Sequence, residues 1–120
     1  MALSKKDRQK VYDKSNGFCW YCGCDISKGK WQADHLKPIY RNWDIKPKHA
    51  GEDTLENLVP TCAKCNNHKH SFSVEDFRRE ISLQVERARK SSTNFRTAER
   101  YGMIEVIEKP IVFWFEKNNI

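Results

Sequence analysis

Gly51-Glu52-Asp53-Thr54-Leu55-Glu56-Asn57-Leu58-Val59-Pro60-Thr61-Cys62-Ala63-Lys64-Cys65-Asn66 is a polar turn, the short run Leu58-Val59-Pro60-Thr61 and a C-x-x-C pair in immediate succession. A second pair lies upstream, Cys19-Trp20-Tyr21-Cys22. Each C-x-x-C sets two soft thiolates close enough to share one ion, and two pairs supply the four sulfurs of a closed tetrahedral Zn²⁺ site on Cys19, Cys22, Cys62 and Cys65. The same pairs would also serve as disulfides or as a redox motif. Five cysteines are an odd number, with Cys24 left over, which argues against a complete disulfide framework and for thiolates in a reducing compartment. A closed zinc site has no open coordination position, so any chemistry must lie between or beside the pairs.

Working outward, Leu58–Thr61 reads as a short strand running into the second pair. Trp31-Gln32-Ala33-Asp34-His35-Leu36 alternates roughly between apolar and polar residues before Pro38, as a half-buried strand does. Residues 40–54 between them are polar, hold Pro47 and Gly51, and read as a long functional loop. The segment after Cys65 starts a short helix that Phe72 and Ser73 interrupt. Upstream, Ser4 to Ser15 has helical composition and stops at Asn16-Gly17. Downstream, Ser73 and Asp76 resemble a capping box, and Val74, Phe77, Ile81, Val85 and Ala88 recur at three or four residues, predicting one helix up to Lys90-Ser91-Ser92. Thr93 is expected to cap another helix ending at Gly102. Met103–Ile107 and Ile111–Phe115, either side of Glu108-Lys109-Pro110, predict a terminal β-hairpin.

At 120 residues the chain has the length of one domain with a thin core, which explains the need for a staple. A mean hydropathy of −0.84 is low, yet four Trp, six Phe and four Tyr provide the large apolar surfaces of a folded protein. The first fifteen residues carry five Lys or Arg without an apolar signal region, and no stretch approaches the roughly 18 apolar residues of a membrane span. A soluble, cytoplasmic protein is expected. The net charge of +6 makes polyanions the natural partners.

Hydrolysing a phosphodiester requires a nucleophile made from water and a cation that neutralises charge on the phosphate and the leaving oxygen. Asp34, His35 and Asn66 are residue types able to supply a base and hard oxygen ligands. Successive side chains on an ideal strand point to opposite faces, so Asp34 and His35 serve one site only if the strand distorts there.

Asp34-His35-Leu36-x-Pro38, then Gly51-x-Asp53-Thr54-Leu55-Glu56-Asn57-Leu58-Val59-Pro60-x-Cys62-x-x-Cys65-Asn66-x-x-Lys69, resembles the HNH endonucleases of the ββα-metal superfamily, in the subtype with two C-x-x-C pairs. The likeness covers about residues 19 to 79, and Glu75-Asp76-Phe77-Arg78 resembles the helix that commonly follows. It implies an α+β fold: a small ββα-metal finger braced by structural Zn²⁺, with flanking helices and the C-terminal hairpin, as one domain over 1–120 whose extension runs from about 80. It implies that His35 is the general base, that Asp34 and Asn66 ligate one catalytic Mg²⁺ or Mn²⁺, with His70 a candidate third ligand, and that Asn57 braces the loop and orients His35. The products would carry 5′-phosphate and 3′-hydroxyl ends. The sequence departs from the usual pattern at Ala50, where the first glycine of a pair often stands, and in the 40–50 loop.

Lys69, Arg78 and Arg79 are candidate contacts to DNA phosphates, RNA being a substrate the sequence also allows. Arginines further along the same region are expected to pair partly with Glu75, Asp76, Glu80 and Glu86 at helical spacing. Phe113, Trp114 and Phe115 fit a core better than a base-stacking platform. The competing readings are a non-catalytic zinc ribbon that binds nucleic acid or protein and a thiol redox protein; neither requires Asp34, His35, Asn57 and Asn66 in register. Monomer and homodimer are both compatible with the sequence.

Overall fold

The computed structural model describes residues 3–119. The chain packs as two compact units, one built from the chain up to Val74 together with the segment from Val112, the other from Glu75–Ile111.

In the first unit, helix α1 (Lys5–Asp13) begins at Ser4, whose hydroxyl accepts from the Asp7 amide at 3.1 Å. Asn16 and Gly17 stop it at φ of 53° and 97°, the left-handed conformation that ends many helices. Lys14 then reaches across to the carbonyls of Leu55 (2.7 Å) and Leu58 (2.6 Å). Strands β1 (Gln32–His35) and β2 (Leu58–Thr61) form a two-stranded antiparallel ribbon in which Gln32 faces Thr61 and His35 faces Leu58. Helix α2 (Ala63–Lys69) follows at once, with Cys62 as its N-cap. This is the expected ββα finger.

The core of this unit is small and aromatic. Val11, Trp20, Tyr21, Ile26, Leu58, Val59 and Phe113 are buried. Trp20 stacks on Phe115 (5.6 Å between ring centres), and Tyr21 meets Phe113 edge-on at 5.5 Å.

The expected C-terminal hairpin is not formed. The amides of Trp114 and Phe115 donate to the carbonyls of Tyr21 (2.9 Å) and Trp20 (3.0 Å), and Trp114–Lys117 closes as a short helix, which we number α6. The physical reason is that Phe113, Trp114 and Phe115 all lie against the rings of residues 18–21, whereas a strand would send alternate side chains to opposite faces. These three residues pack against other rings of the unit, as expected.

The second unit contains α3 (Val74–Ser82, beginning at the unit boundary), α4 (Gln84–Ser91) and α5 (Thr93–Arg100). The single helix expected to run to Ser92 is broken at Leu83. There the Ser82 hydroxyl donates to the Arg79 carbonyl (2.6 Å), the Gln84 amide to the Glu80 carbonyl (2.8 Å), and Leu83 N–H to the same Glu80 oxygen (3.3 Å). Side chains occupying backbone acceptors interrupt the helical ladder. Ser92, rather than Thr93, caps α5, accepting from Phe95 N–H at 3.0 Å. Residues 106–111 carry no strand; Val106, Ile107 and Ile111 line one groove with Ile81, Val85 and Arg89. Among the described residues no helix is long and apolar enough to cross a membrane.

Candidate metal centres and catalytic cleft

The Sγ atoms of Cys19, Cys22, Cys62 and Cys65 lie within 4.8 Å of one another, and Cys22 and Cys62 are 3.8 Å apart. Two thiolates on a tetrahedral zinc with bonds of about 2.3 Å stand roughly 3.8 Å apart, so the donor set fits that ion. Without a cation, four thiols so close compete for protons. The neighbouring Cys65 thiol holds Cys19 down to about 4, while Cys19 in turn, with burial, pushes Cys65 up. Cys24 is pushed up to about 12 by desolvation and by its contacts with Cys22 and Cys62, and its sulfur lies outside the four-sulfur cluster.

Beside this staple a cleft of about 520 Å³ is lined by Asp34, His35, Asn66 and His70, with Pro38, Ile39, Asn67 and Ser71. Asp34 and His35 therefore share a site although they are strand neighbours. His35 is the last residue of β1; Leu36 N–H still bonds the Asn57 carbonyl in ladder register (2.8 Å), and the chain bends at Leu36 and Lys37.

Asp34 is buried, and its Oδ2 accepts from the Tyr21 hydroxyl (2.7 Å) and faces Lys69 Nζ (3.1 Å). Oδ1 has no hydrogen-bond partner among the described residues. Burial lowers the Lys69 pKa, with Asp34 opposing the shift; burial and then the Asp34 charge push Tyr21 up. Across the cleft, Asn66 Nδ2 donates to Gln32 Oε1, leaving its carbonyl oxygen without a partner among the described residues. Two hard oxygens of this kind suit a divalent cation that prefers oxygen ligands.

His35 Nε2 lies 2.8 Å from Asp53 Oδ1, and Arg41 holds the other oxygen at 3.2 Å. Asp53 is lowered to about 2, first by the His35 hydrogen bond. Asn57 braces the loop: its amide donates to the carbonyls of Lys37 and Glu52 (both 2.8 Å), and its oxygen accepts from Lys37 N–H (2.9 Å). It does not line the cleft. A Cβ on Gly51 would stand 2.4 Å from the Lys37 carbonyl and 2.6 Å from the Asn57 amide. That close approach explains why glycine is needed at 51 while alanine is tolerated at 50.

His70 ends α2 at φ 49°, ψ −123°, a conformation glycine favours. The helix stops, but the imidazole does not leave the cleft; it lines it, with Nδ1 3.0 Å from the Ser71 hydroxyl.

Two expected DNA contacts change. Lys69 is fully buried, its ammonium on Asp34 and on the His35 carbonyl (2.9 Å); it is an internal strut, not a phosphate contact. Arg78 is engaged by Glu75 (3.0 Å) and by the Ile111 carbonyl (2.6 Å). Arg79 is exposed. The pairing expected of the basic region is found in part: Glu80 with Arg87 and Glu86 with Lys90 (3.3 Å), while Arg89 pairs with Glu99 (2.6 Å) on α5. Asp53, Tyr21, Gln32 and Arg41 carry no role in the sequence reading. Asp53 stands in the quoted motif, but only folding brings it to His35, eighteen positions away.

An antiparallel ribbon and a helix gathered around four cysteines, with an Asp-His pair facing an Asn, make up a ββα finger. Residues 19–72 match the family described as HNH endonuclease. The "SPbeta prophage-derived putative HNH endonuclease YoqL" of Bacillus subtilis (strain 168) is 30% identical over 71 residues, which cover 58% of this chain and 30% of that protein. The chain thus matches under a third of that relative's length. The crystal structure of the Type II-C Cas9 enzyme from Actinomyces naeslundii shares the fold over 83% of this chain and 11% of its own, with a TM-score of 0.51 and 21% identity.

Proposed function

We propose that this protein is a metal-dependent endonuclease that hydrolyses DNA phosphodiester bonds, with His35 as general base and one catalytic Mg²⁺ or Mn²⁺ held by Asp34, Asn66 and His70. The observation that carries the reading is the single cleft lined by all four side chains. The bound cation supplies charge neutralisation at the scissile phosphate and leaving oxygen. The protein does the rest. Asp53 fixes the His35 ring through Nε2, leaving Nδ1 to take a proton from water, and its carboxylate stabilises the imidazolium that results. Tyr21 and Lys69 hold Asp34 Oδ2, so the carboxylate cannot swing away when its other oxygen is used. Attack on the side opposite the 3′ oxygen yields 5′-phosphate and 3′-hydroxyl ends.

The test is supercoiled plasmid with Mg²⁺, with Mn²⁺ and with neither, followed by end mapping. Nicking is expected only with the cation, and His35→Ala should lose about a hundredfold or more while its circular dichroism is unchanged. Salt-sensitive DNA binding without nicking would show a non-catalytic zinc module instead; nicking by His35→Ala at the wild-type rate would overturn the mechanism.

A further inference from the structure

We propose that an aromatic recess adjoining the cleft binds one unpaired nucleobase of the cleaved strand, so that the preferred substrate is single-stranded or locally distorted DNA rather than continuous duplex. This rests on the nuclease reading above and specifies its substrate. The recess holds about 670 Å³ and is lined by Tyr40, Trp43 and Phe72, with Arg41 and His68 at its polar side. It shares Ile39, Asn67, His70 and Ser71 with the catalytic cleft, so the two are continuous, and a strand with its phosphate in the cleft has a base at the recess.

The recess is built rather than incidental. The Tyr40 hydroxyl bonds both His49 Nε2 and the Ser71 carbonyl (3.3 Å), which ties the loop to the end of α2 and fixes the ring. Trp43 lies against that ring at 4.8 Å between centres and is itself 55% exposed; Phe72 is 38% exposed. Exposed aromatic rings grouped at a polar cleft suit a flat ligand with a charged backbone, and every base offers such a face. Beside the recess, residues 44–48 present exposed Lys46 and Lys48 against Asp44, while Arg41 is paired with Asp53; these two ammonium groups suit a phosphate-bearing ligand better than an apolar peptide. Bases in continuous duplex are stacked inside and reach a side-chain pocket only when extruded. Unpaired or mismatched bases avoid most of that cost.

Two readouts test the proposal. In the first, a single-stranded oligonucleotide is mapped for its cleavage position, and an abasic site is then walked through the flanking nucleotides. Wild type should lose about tenfold in kcat/KM at one position next to the scissile phosphate, and Trp43→Ala should show that loss on the intact strand with no further effect of the abasic site. In the second, without divalent metal, a single-stranded oligonucleotide carrying 2-aminopurine should be quenched by the wild type and not by Trp43→Ala, with circular dichroism confirming that the variant folds. An abasic effect undiminished in Trp43→Ala, or equal quenching by both proteins, overturns the pocket. A wild type that cuts no DNA with Mg²⁺ refutes the nuclease reading alone, and the quenching then decides the pocket.

Discussion

Asp53 reaches from the loop between the strands to hold His35, Oδ1 to Nε2 at 2.8 Å, while Arg41 holds its other oxygen. The pair has the form in which a carboxylate orients an imidazole and stabilises its charged state. Asp53→Asn should lower kcat about 10- to 100-fold with little change in KM. An equal loss in both would mean that the loop had been displaced instead.

The same pair has an acid signature. Asp53 is held at about 2 chiefly by the His35 hydrogen bond, below its ordinary value near 3.9. A carboxylate lowered on folding contributes stability that is complete above about pH 4 and fades as the pH falls toward 2. Acid denaturation of the wild type should therefore be steeper over that interval than that of Asp53→Asn. Superimposable curves would count against the bond.

Lys69→Met leaves the Asp34 carboxylate buried with only the Tyr21 hydroxyl. Stranding one member of a buried pair costs about 3–5 kcal/mol, to be read from urea denaturation. A lysine that merely touched phosphate would change stability by no more than about 0.5 kcal/mol and would alter the salt dependence of DNA binding instead.

Elemental analysis should find one zinc per chain. Cys62→Ser should lose it together with the fold, because metal binding and folding are coupled, whereas Cys24→Ser should keep both. A metal-free, cooperatively folded Cys62→Ser protein would remove zinc from the architecture.

His70→Gly relieves the backbone at φ 49° and should stabilise the protein by about 1 kcal/mol, while raising the Mg²⁺ concentration needed for half-maximal cleavage. His70→Ala should raise that requirement equally without the gain in stability. An unchanged Mg²⁺ requirement in both variants would exclude the imidazole from the metal centre.

The finger was legible because its signals are local. Thiolate pairs, the short run Leu58-Val59-Pro60-Thr61 and an Asp-His dipeptide keep their meaning wherever the chain goes, and β2 spans that run as the pattern predicts. What escaped depends on contacts distant in sequence. Phe113–Phe115 have strand composition, but their partners lie at residues 18–21. Lys69 has the composition of a surface residue until Asp34 and Tyr21 enclose it. At Leu83 the apolar spacing continues unbroken, and the interruption comes from hydroxyl and amide groups competing for carbonyls, a contest that periodicity does not register.

Tyr21 stands between Cys19 and Cys22 of the four-cysteine cluster and gives its hydroxyl to Asp34. The staple and the reaction centre thus share a residue, which bears on transplantation. Moving Asp34, His35 and Asn66 onto another scaffold would carry over a carboxylate without either of its anchors, Tyr21 and Lys69, and swapping in a different cysteine knuckle would have to restore a hydroxyl at the same point. The smallest portable piece is the whole finger, both cysteine pairs included.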